Sequence, residues 1–130
     1  MSLFKKASKN ILKIDTLIGV EAEITGQVKG SGNYKIDGSI IGDVTVNGDV
    51  VVTRDGAVKG NIYAKNIMVE GKVEGDITAE IELVVKDTAV VNGVRHEAGV
   101  LTVDEGSKFT GDCKITGNTI DKRFFEPKSE

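Results

Sequence analysis

The sequence has 130 residues, enough for one domain, and its net charge at pH 7 is −3. Sixteen glycines against one proline, no tryptophan and a predominance of valine and isoleucine among the apolar residues suit short strands joined by tight turns. No apolar run is long enough to span a membrane, no signal-peptide pattern is present, and a single cysteine excludes an internal disulfide. A cytoplasmic protein is therefore the expectation.

Residues 1–14 form a basic leader. They contain four lysines and no acid, so the leader carries +4 and the remainder −7. Apolar residues follow helical spacing at Phe4, Ala7, Ile11 and Ile14. One interpretation is a flexible, solubilising tail. The other is a membrane anchor in which Leu3 and Phe4 insert while Lys5 and Lys6 meet anionic headgroups. An acidic body behind a short basic leader is unlike a nucleic-acid-binding domain, whose basic residues cover a folded face.

A short element built around a glycine recurs six times. The steps between its glycines are 16, 18, 15, 18 and 18 residues, and the glycines are Gly26, Gly42, Gly60, Gly75, Gly93 and Gly111. A period near 17 is typical of a stacked, repetitive architecture, in which each repeat is one coil.

Side-chain parity resolves each repeat into a coil. Val58, Gly60, Ile62 and Ala64 lie on one side of an extended segment, and the alternation resumes at Ile67 after a break. Each coil thus has a longer strand with an inward glycine at a corner, a turn, a second short strand and a second turn. Coils stacked about 4.8 Å apart pair in parallel and place valine on valine. The prediction is an all-β, single-domain parallel β-helix of about six coils over residues 15–115, between flexible tails at 1–14 and 116–130.

One coil departs from the pattern, because its inward parity would place Arg95 and Glu97 in the core. Buried charges cost several kcal/mol unless they are paired. Either the two residues pair at a wide corner, or a local slip or bulge turns the other set of side chains inward. That other set is Val94, His96 and Ala98. We favour the slip, and a functional Arg-His-Glu cluster is a third alternative.

The sequence predicts no enzyme. The only histidine is His96, and with one distant cysteine it makes neither a Cys-His dyad nor a zinc site. Cys113 occupies a position that valine or isoleucine holds in four other coils, so we interpret it as a core residue. The glycines do not cluster as a phosphate-binding loop, so no nucleotide, metal or other cofactor is expected.

A left-handed hexapeptide-repeat acyltransferase is the enzymatic alternative. Its coil is similar in length, and a spacing of six is found at Ile40, Val46, Val52 and Val58. Coils of 15 and 16 residues break a strict six, however, and nothing around His96 supports a catalytic role.

The two ends of the predicted β-helix carry no strong helical cap. Solenoids normally cover the exposed strand edges and core cross-section with caps. The alternative is that Ile120, Phe124 and Phe125 fold back over the last coil. Uncapped ends should stack on one another and propagate a filament, polar or non-polar, and the sequence alone does not choose between them. The predicted polymer interface consists of residues in the terminal coils: Ile24, Val28, Phe109, Cys113 and Ile115.

The core resembles the bactofilins, a bacterial polymer-forming cytoskeletal family. The matching segments are Ile14–Gly19 (IDTLIG), Tyr34–Val44 (YKIDGSIIGDV) and Gly106–Gly111 (GSKFTG), together with short tails on both sides. The resemblance implies a right-handed, triangular β-helix that assembles without nucleotide into non-polar filaments at the cytoplasmic face of the inner membrane. It also implies that Phe109 is a filament contact and that Leu3-Phe4-Lys5-Lys6 is a membrane-targeting motif.

The partners implied by this resemblance are further copies of the chain, the inner-membrane surface, and cell-envelope proteins such as peptidoglycan-modifying enzymes. Scaffolding of cell shape or cell-wall synthesis is the expected role. The alternative class is a monomeric β-solenoid that presents an acidic face to a partner protein, and concentration-dependent sedimentation separates the two classes.

Overall fold

The alternation of β-branched and polar residues produces eleven strands in the computed structural model, which describes residues 15–117. The strands are β1 (Thr16–Ile18), β2 (Glu23–Thr25), β3 (Val28–Ile36), β4 (Ser39–Ile41), β5 (Val44–Val52), β6 (Ala57–Lys59), β7 (Ile62–Val69), β8 (Lys72–Glu74), β9 (Ile77–Val85), β10 (Val90–Val103) and β11 (Lys108–Ile115). Every strand pairing is parallel. The predicted parallel β-helix is confirmed.

Each coil has three faces. Face A contains β2, β4, β6, β8 and the starts of β10 and β11; face B contains the first parts of β3, β5, β7 and β9, the middle of β10 and the end of β11. Face C contains β1, the second parts of β3, β5, β7 and β9, and the end of β10. Counted from face C through A to B, the six coils are 16–30, 33–46, 49–64, 66–79, 82–98 and 100–115.

Inward side chains stack in continuous columns along the axis. The face A column is Ile24, Ile40, Val58, Val73, Val91 and Phe109. Its four middle members are fully buried, whereas Ile24 and Phe109 are half-buried. Since burying such a side chain contributes about 1.5–3 kcal/mol, the columns of coils 2–5 are the main stabilising feature of the fold.

Each corner between faces A and B is built around a glycine. Gly60 has a φ of +155°, and a Cβ there would collide with the carbonyl oxygen of Gly42 in the preceding coil. Glycine therefore lets successive corners stack directly. The neighbouring polar residues form a ladder: the Asn61 N–H donates to Asp43 Oδ1, and the Asp76 N–H donates to Asn61 Oδ1, both at 2.9 Å.

Just beyond each regular corner, the N–H of the first inward residue of face B donates to a backbone carbonyl of the next coil. The pairs are Val28 to Asp43, Val44 to Asn61 and Ile62 to Asp76, with N···O distances of 2.8–3.0 Å.

Coil 5 carries a one-residue bulge on face B. Its offset from coil 4 is 18 residues on face A (Val73/Val91) and 19 on face B (Ala79/Ala98). On the next face C pair, Leu83 of coil 5 and Leu101 of coil 6, the offset is 18 again. One residue is thus added at the corner after Gly93 and one is removed at the corner containing Gly99.

The bulge confirms the predicted slip for His96 and Ala98, which are both fully buried. The prediction is wrong for Val94, which is 75% exposed because the added residue is accommodated outside the corner. Arg95 is exposed and Glu97 lies on the outer side of the strand, so the alternative of a buried Arg95–Glu97 pair is also wrong.

His96 replaces a hydrogen bond that the bulge removes. The Ile77 N–H, which in the regular pattern would reach a backbone carbonyl, donates instead to His96 Nδ1 at 3.0 Å. His96 Nε2 lies 2.9 Å from the Thr110 carbonyl oxygen and donates to it. Because one ring nitrogen must accept and the other must donate, these partners select the neutral tautomer with its proton on Nε2.

Asp76 accommodates the extra residue from the other side. Its Oδ1 accepts the N–H groups of both Val94 and Arg95, at 2.9 and 3.1 Å. The corresponding acceptors at other corners, Asp43 Oδ1 and Asn61 Oδ1, each accept one N–H group. These two bonds, the one from Val94 first, lower the pKa of the Asp76 carboxyl below its ordinary value of 3.8.

Candidate polymer interface

The C-terminal end of the solenoid is an apolar surface formed by coil 6. The inward side chains of this coil have no later strand above them among the described residues, which end at 117. They are Leu101, Val103, Phe109, Cys113 and Ile115. Val103 is 43% exposed and the other four are half-buried, although each continues a column that is buried in coils 3–5. The end is therefore a cross-section of the hydrophobic core.

Phe109 is supported from beneath by the bulged coil. Its ring lies against the His96 imidazole, with the centroids 4.9 Å apart and the planes tilted by 36°. Because His96 also bonds to Thr110, the residue after Phe109, it links the terminal coil to coil 4 by side-chain hydrogen bonds. The most prominent aromatic side chain of this end is thus held by a buried polar group.

Cys113 continues the face B column directly above His96. Burial, and next the carboxylate of Glu97, raise the pKa of the Cys113 thiol to about 11. The residue is half-buried and packs against the core, as predicted from its position in the repeat. A thiol with so high a pKa is protonated at neutral pH, which makes it a packing group and a slow nucleophile.

The N-terminal end is partly closed by its own side chains. Ile24 and Val28 are half-buried in coil 1, whereas Ile18 is only 6% exposed. Tyr34 reaches from face C across to face B, so that its hydroxyl occupies the space a side chain at Gly30 would need. This end therefore presents a smaller apolar cross-section than the end around Phe109.

All five residues predicted for the polymer interface lie on these two ends. Ile24 and Val28 lie in coil 1, and the other three lie in coil 6. Leu101 and Val103 were missed, because in sequence they resemble the inward pairs of the middle coils. The feature that distinguishes them is that, among the described residues, which end at 117, no face C strand follows residue 103.

The predicted membrane-binding residues Leu3, Phe4, Lys5 and Lys6 lie outside the described residues, as do Ile120, Phe124 and Phe125. Within residues 15–117 there is no helix with the length and apolarity to cross a membrane. In the same part of the chain, no group of three or more His, Cys, Asp or Glu residues is placed to hold a metal ion.

A parallel solenoid with an exposed core cross-section at each end defines a class of structural, self-associating proteins. Comparison with known proteins gives this class a family. Residues 16–114 match the family model described as "Bactofilin: Polymer-forming cytoskeletal". The chain belongs to the bactofilin family.

Two solved structures of the Thermus thermophilus bactofilin are similar to this chain. A cryo-EM reconstruction of its double helical filaments has a TM-score of 0.73 and 30% identity, covering 76% of this chain and 97% of that one. A crystal structure of a phenylalanine-to-arginine mutant has a TM-score of 0.64 and 31% identity, covering 68% and 98% respectively. A comparison with curated proteins found no match.

Proposed function

We propose that this protein is a cytoskeletal scaffold that polymerises end to end through its terminal coils, without nucleotide, into non-polar filaments. The observation that carries the proposal is the pair of apolar ends. Five core columns reach coil 6 with bulky side chains that are only partly buried, and a second copy stacked there would complete their burial. The double helical filaments of the Thermus thermophilus relative support the assembly of this chain into filaments.

Non-polar assembly requires like ends to meet. The C-terminal end is available for a two-fold contact, because Phe109, Leu101 and Ile115 form an apolar surface that would be buried against the same surface of a second copy. Each subunit would then contribute one C-terminal and one N-terminal contact, and the filament would have no overall direction.

Cross-linking through the native cysteine tests the polarity. Cys113 lies on the C-terminal end, so a short bismaleimide should link assembled wild-type chains into dimers if like ends meet. A Cys113→Ser/Val28→Cys variant should also give dimers, through the N-terminal contact. Labelling of Cys113 should be slow near neutral pH, since burial raises the pKa of the thiol to about 11.

A head-to-tail filament would behave differently. Neither single-cysteine protein would cross-link, whereas a chain with both Cys113 and Val28→Cys would form a ladder, since these positions belong to one column. That pattern would contradict the non-polar arrangement and leave end-to-end assembly standing.

We further propose that residues 1–14 attach the filament to the cytoplasmic face of the inner membrane. Leu3 and Phe4 would insert, while Lys5 and Lys6 would bind anionic headgroups. One short anchor binds weakly, but a polymer presents many, and each later contact is effectively intramolecular. Deleting residues 2–6 should abolish co-sedimentation with anionic liposomes and leave filaments intact; unchanged pelleting with lipid would contradict the anchor.

Filaments held at the membrane could position cell-envelope proteins, among them peptidoglycan-modifying enzymes. The regular outer faces of the solenoid support this role, because a polymer repeats any binding surface at short intervals along its length. A pull-down from membranes with wild-type filaments, compared with unassembled protein, tests it: cell-wall enzymes enriched by the filaments support the proposal, and equal recovery contradicts it.

A further inference from the structure

The outer surface of face C carries a largely apolar row that lies away from the two ends of the solenoid. The register aligns outward side chains of coils 1–5 in one row that is apolar except for Lys35: Leu17, Lys35, Val51, Met68 and Val84. Leu17 is 56% exposed, and the other members are half-buried. A groove of about 370 Å³ lies along the row and is lined by Val51, Met68 and Val84.

The other two faces do not have such a row. The corresponding outward residues of face B are Thr45, Tyr63, Thr78, Glu97 and Lys114, and those of face A are Thr25, Ile41, Lys59, Glu74 and Asn92. Both sets consist of charged and polar side chains with a single large hydrophobic residue each, Tyr63 on face B and Ile41 on face A, as expected of solvated surfaces. A run of apolar outward side chains over three successive coils, Val51, Met68 and Val84, is therefore particular to face C.

Acidic side chains frame the apolar row on both edges. Asp15, Asp49 and Glu82 lie along the edge shared with face B, and Asp37, Glu70 and Asp104 lie along the edge shared with face A. Two lysines pair with these acids: Lys35, from the row itself, is 3.9 Å from Asp37, and Lys86 is 3.9 Å from Asp104. Six acids and two lysines leave this face with a net charge of −4. The surface therefore suits a basic segment that also has apolar side chains.

The leader enters the described structure at this face. The Asp15 N–H donates to the Asn33 carbonyl oxygen at 2.9 Å, and the Asn33 N–H donates back to Asp15 Oδ2 at 2.8 Å. These bonds hold residue 15 on the acidic edge of face C, one residue from β1 and next to Leu17. Residue 14 is thus tethered to one end of the groove, which gives the leader a high effective concentration there.

We propose that residues 1–14 bind along face C of the solenoid. Their four lysines and absence of acids match the net charge of −4, and their apolar residues at helical spacing match the apolar row. The lengths agree: fourteen residues would extend about 21 Å as a helix, and the row from coil 1 to coil 5 extends about 19 Å.

Binding at face C regulates the anchor. Leu3, Phe4 and the lysines that would contact face C are the groups proposed to bind the membrane, so one leader cannot do both at once. Membrane attachment then requires release from face C, and anionic lipid shifts the population toward the released state. This consequence rests on the proposed membrane anchor, whereas the binding to face C does not.

Photo-cross-linking of the full-length chain tests the binding. A benzophenone amino acid replaces Met68 on face C in one protein and Tyr63 on face B in a matched control, in which position 63 is 46% exposed. After irradiation without lipid, position 68 should cross-link to peptides of residues 1–14 several-fold more than position 63. Mixed isotope-labelled and unlabelled chains tell whether the leader comes from the same copy. Cross-links from 68 to the folded body of another copy would overturn the proposal in favour of lateral pairing, and equal or absent leader cross-links would overturn it outright.

Charge reversal provides a second test. Glu70→Lys/Glu82→Lys should lower the cross-link from position 68 several-fold, and Lys5→Glu/Lys6→Glu in the same chain should restore it; unchanged cross-linking would overturn the proposal. Vesicles of phosphatidylglycerol and phosphatidylethanolamine should also lower the cross-link. If the cross-link forms without lipid and persists undiminished with it, face C binding stands and the membrane anchor fails.

Discussion

Val91 and Phe109 occupy the same column in successive coils, yet they differ in what they do. Val91 is fully buried beneath coil 6, whereas Phe109 is half-buried because no coil of the described structure covers it. The repeat pattern thus produces core in the middle coils and an exposed apolar surface at the ends, which we propose is the assembly surface. Whether a residue of this column stabilises the fold or is available for assembly depends on its position along the solenoid axis.

Arginine substitutions in this one column should separate the two roles most sharply. Phe109→Arg places a charge in the end contact and should convert filaments to folded monomers in sedimentation. Val91→Arg places the same charge in the core, where an unpaired charge costs several kcal/mol, and should prevent folding. Filaments of normal length from Phe109→Arg, or a folded Val91→Arg protein, would contradict the distinction.

Glycine-to-alanine substitutions at the corners also compare a middle coil with a terminal coil, and the loss of stability should be larger in the middle coil. Gly60→Ala would force a Cβ against the Gly42 carbonyl, whereas Gly26 in coil 1 has no heavy atom within 4 Å of an added Cβ. Both glycines have positive φ, at +155° and +129°, so both substitutions carry backbone strain. Gly60→Ala should therefore lower the free energy of unfolding by about 1–3 kcal/mol more than Gly26→Ala in denaturant titrations. Equal losses of unfolding free energy would mean that backbone strain alone, without the collision at Gly42, accounts for the cost of replacing a corner glycine.

Replacing His96 tests whether the bulged coil supports the C-terminal end. His96→Ile introduces the residue type that Ile62 and Ile77 provide in other coils, but it leaves the Ile77 N–H and the Thr110 carbonyl without their partner. An unpaired buried polar group costs about 1–3 kcal/mol, so the variant should be less stable despite its greater apolarity. Increased hydrogen exchange should be concentrated in 108–115. A stability equal to or above wild type would contradict the role assigned to the imidazole.

Lowering the pH should have the smallest effect on stability, and it should act at the same bulge through Asp76. The N–H groups of Val94 and Arg95 lower the pKa of Asp76, so its ionised form contributes stability above pH 3.8, the ordinary value. That contribution is lost as the pH falls below 3.8 toward the lowered folded-state pKa. Asp76→Asn should flatten the acid limb of the melting temperature measured against pH, and an unchanged limb would assign acid sensitivity to other carboxylates.

Much of the fold could be predicted from side-chain parity, because in coils 2–4 every second residue is inward and the glycines fix the corners. The bulge could not be predicted in detail, since its added and removed residues cancel: Gly93 and Gly111 remain 18 apart. Parity alone could not tell which residue loops out, so Val94 was placed inward. His96 accepts the Ile77 N–H because the bulge removes the backbone carbonyl that this N–H would reach in a regular coil. The spacing of residues in the sequence does not show that displacement.

The interface was predictable only in part for a related reason. Phe109 stands out as an aromatic residue in an aliphatic column, whereas Leu101 and Val103 have the same residue types as buried neighbours. Leu101 and Val103 are at least partly exposed because no later strand of the described structure covers them on face C. The apolar row of face C was missed because Val51, Met68 and Val84 are about 17 residues apart and become neighbours only through the register.

Negative-stain microscopy of the purified wild-type protein without nucleotide tests the central claim most directly. Thin filaments, longer than any single solenoid and built of subunits stacked end to end along the axis, are the expected result. Only small particles at high protein concentration and across a range of salt would contradict end-to-end assembly, and would favour a monomeric solenoid that binds partners through its faces.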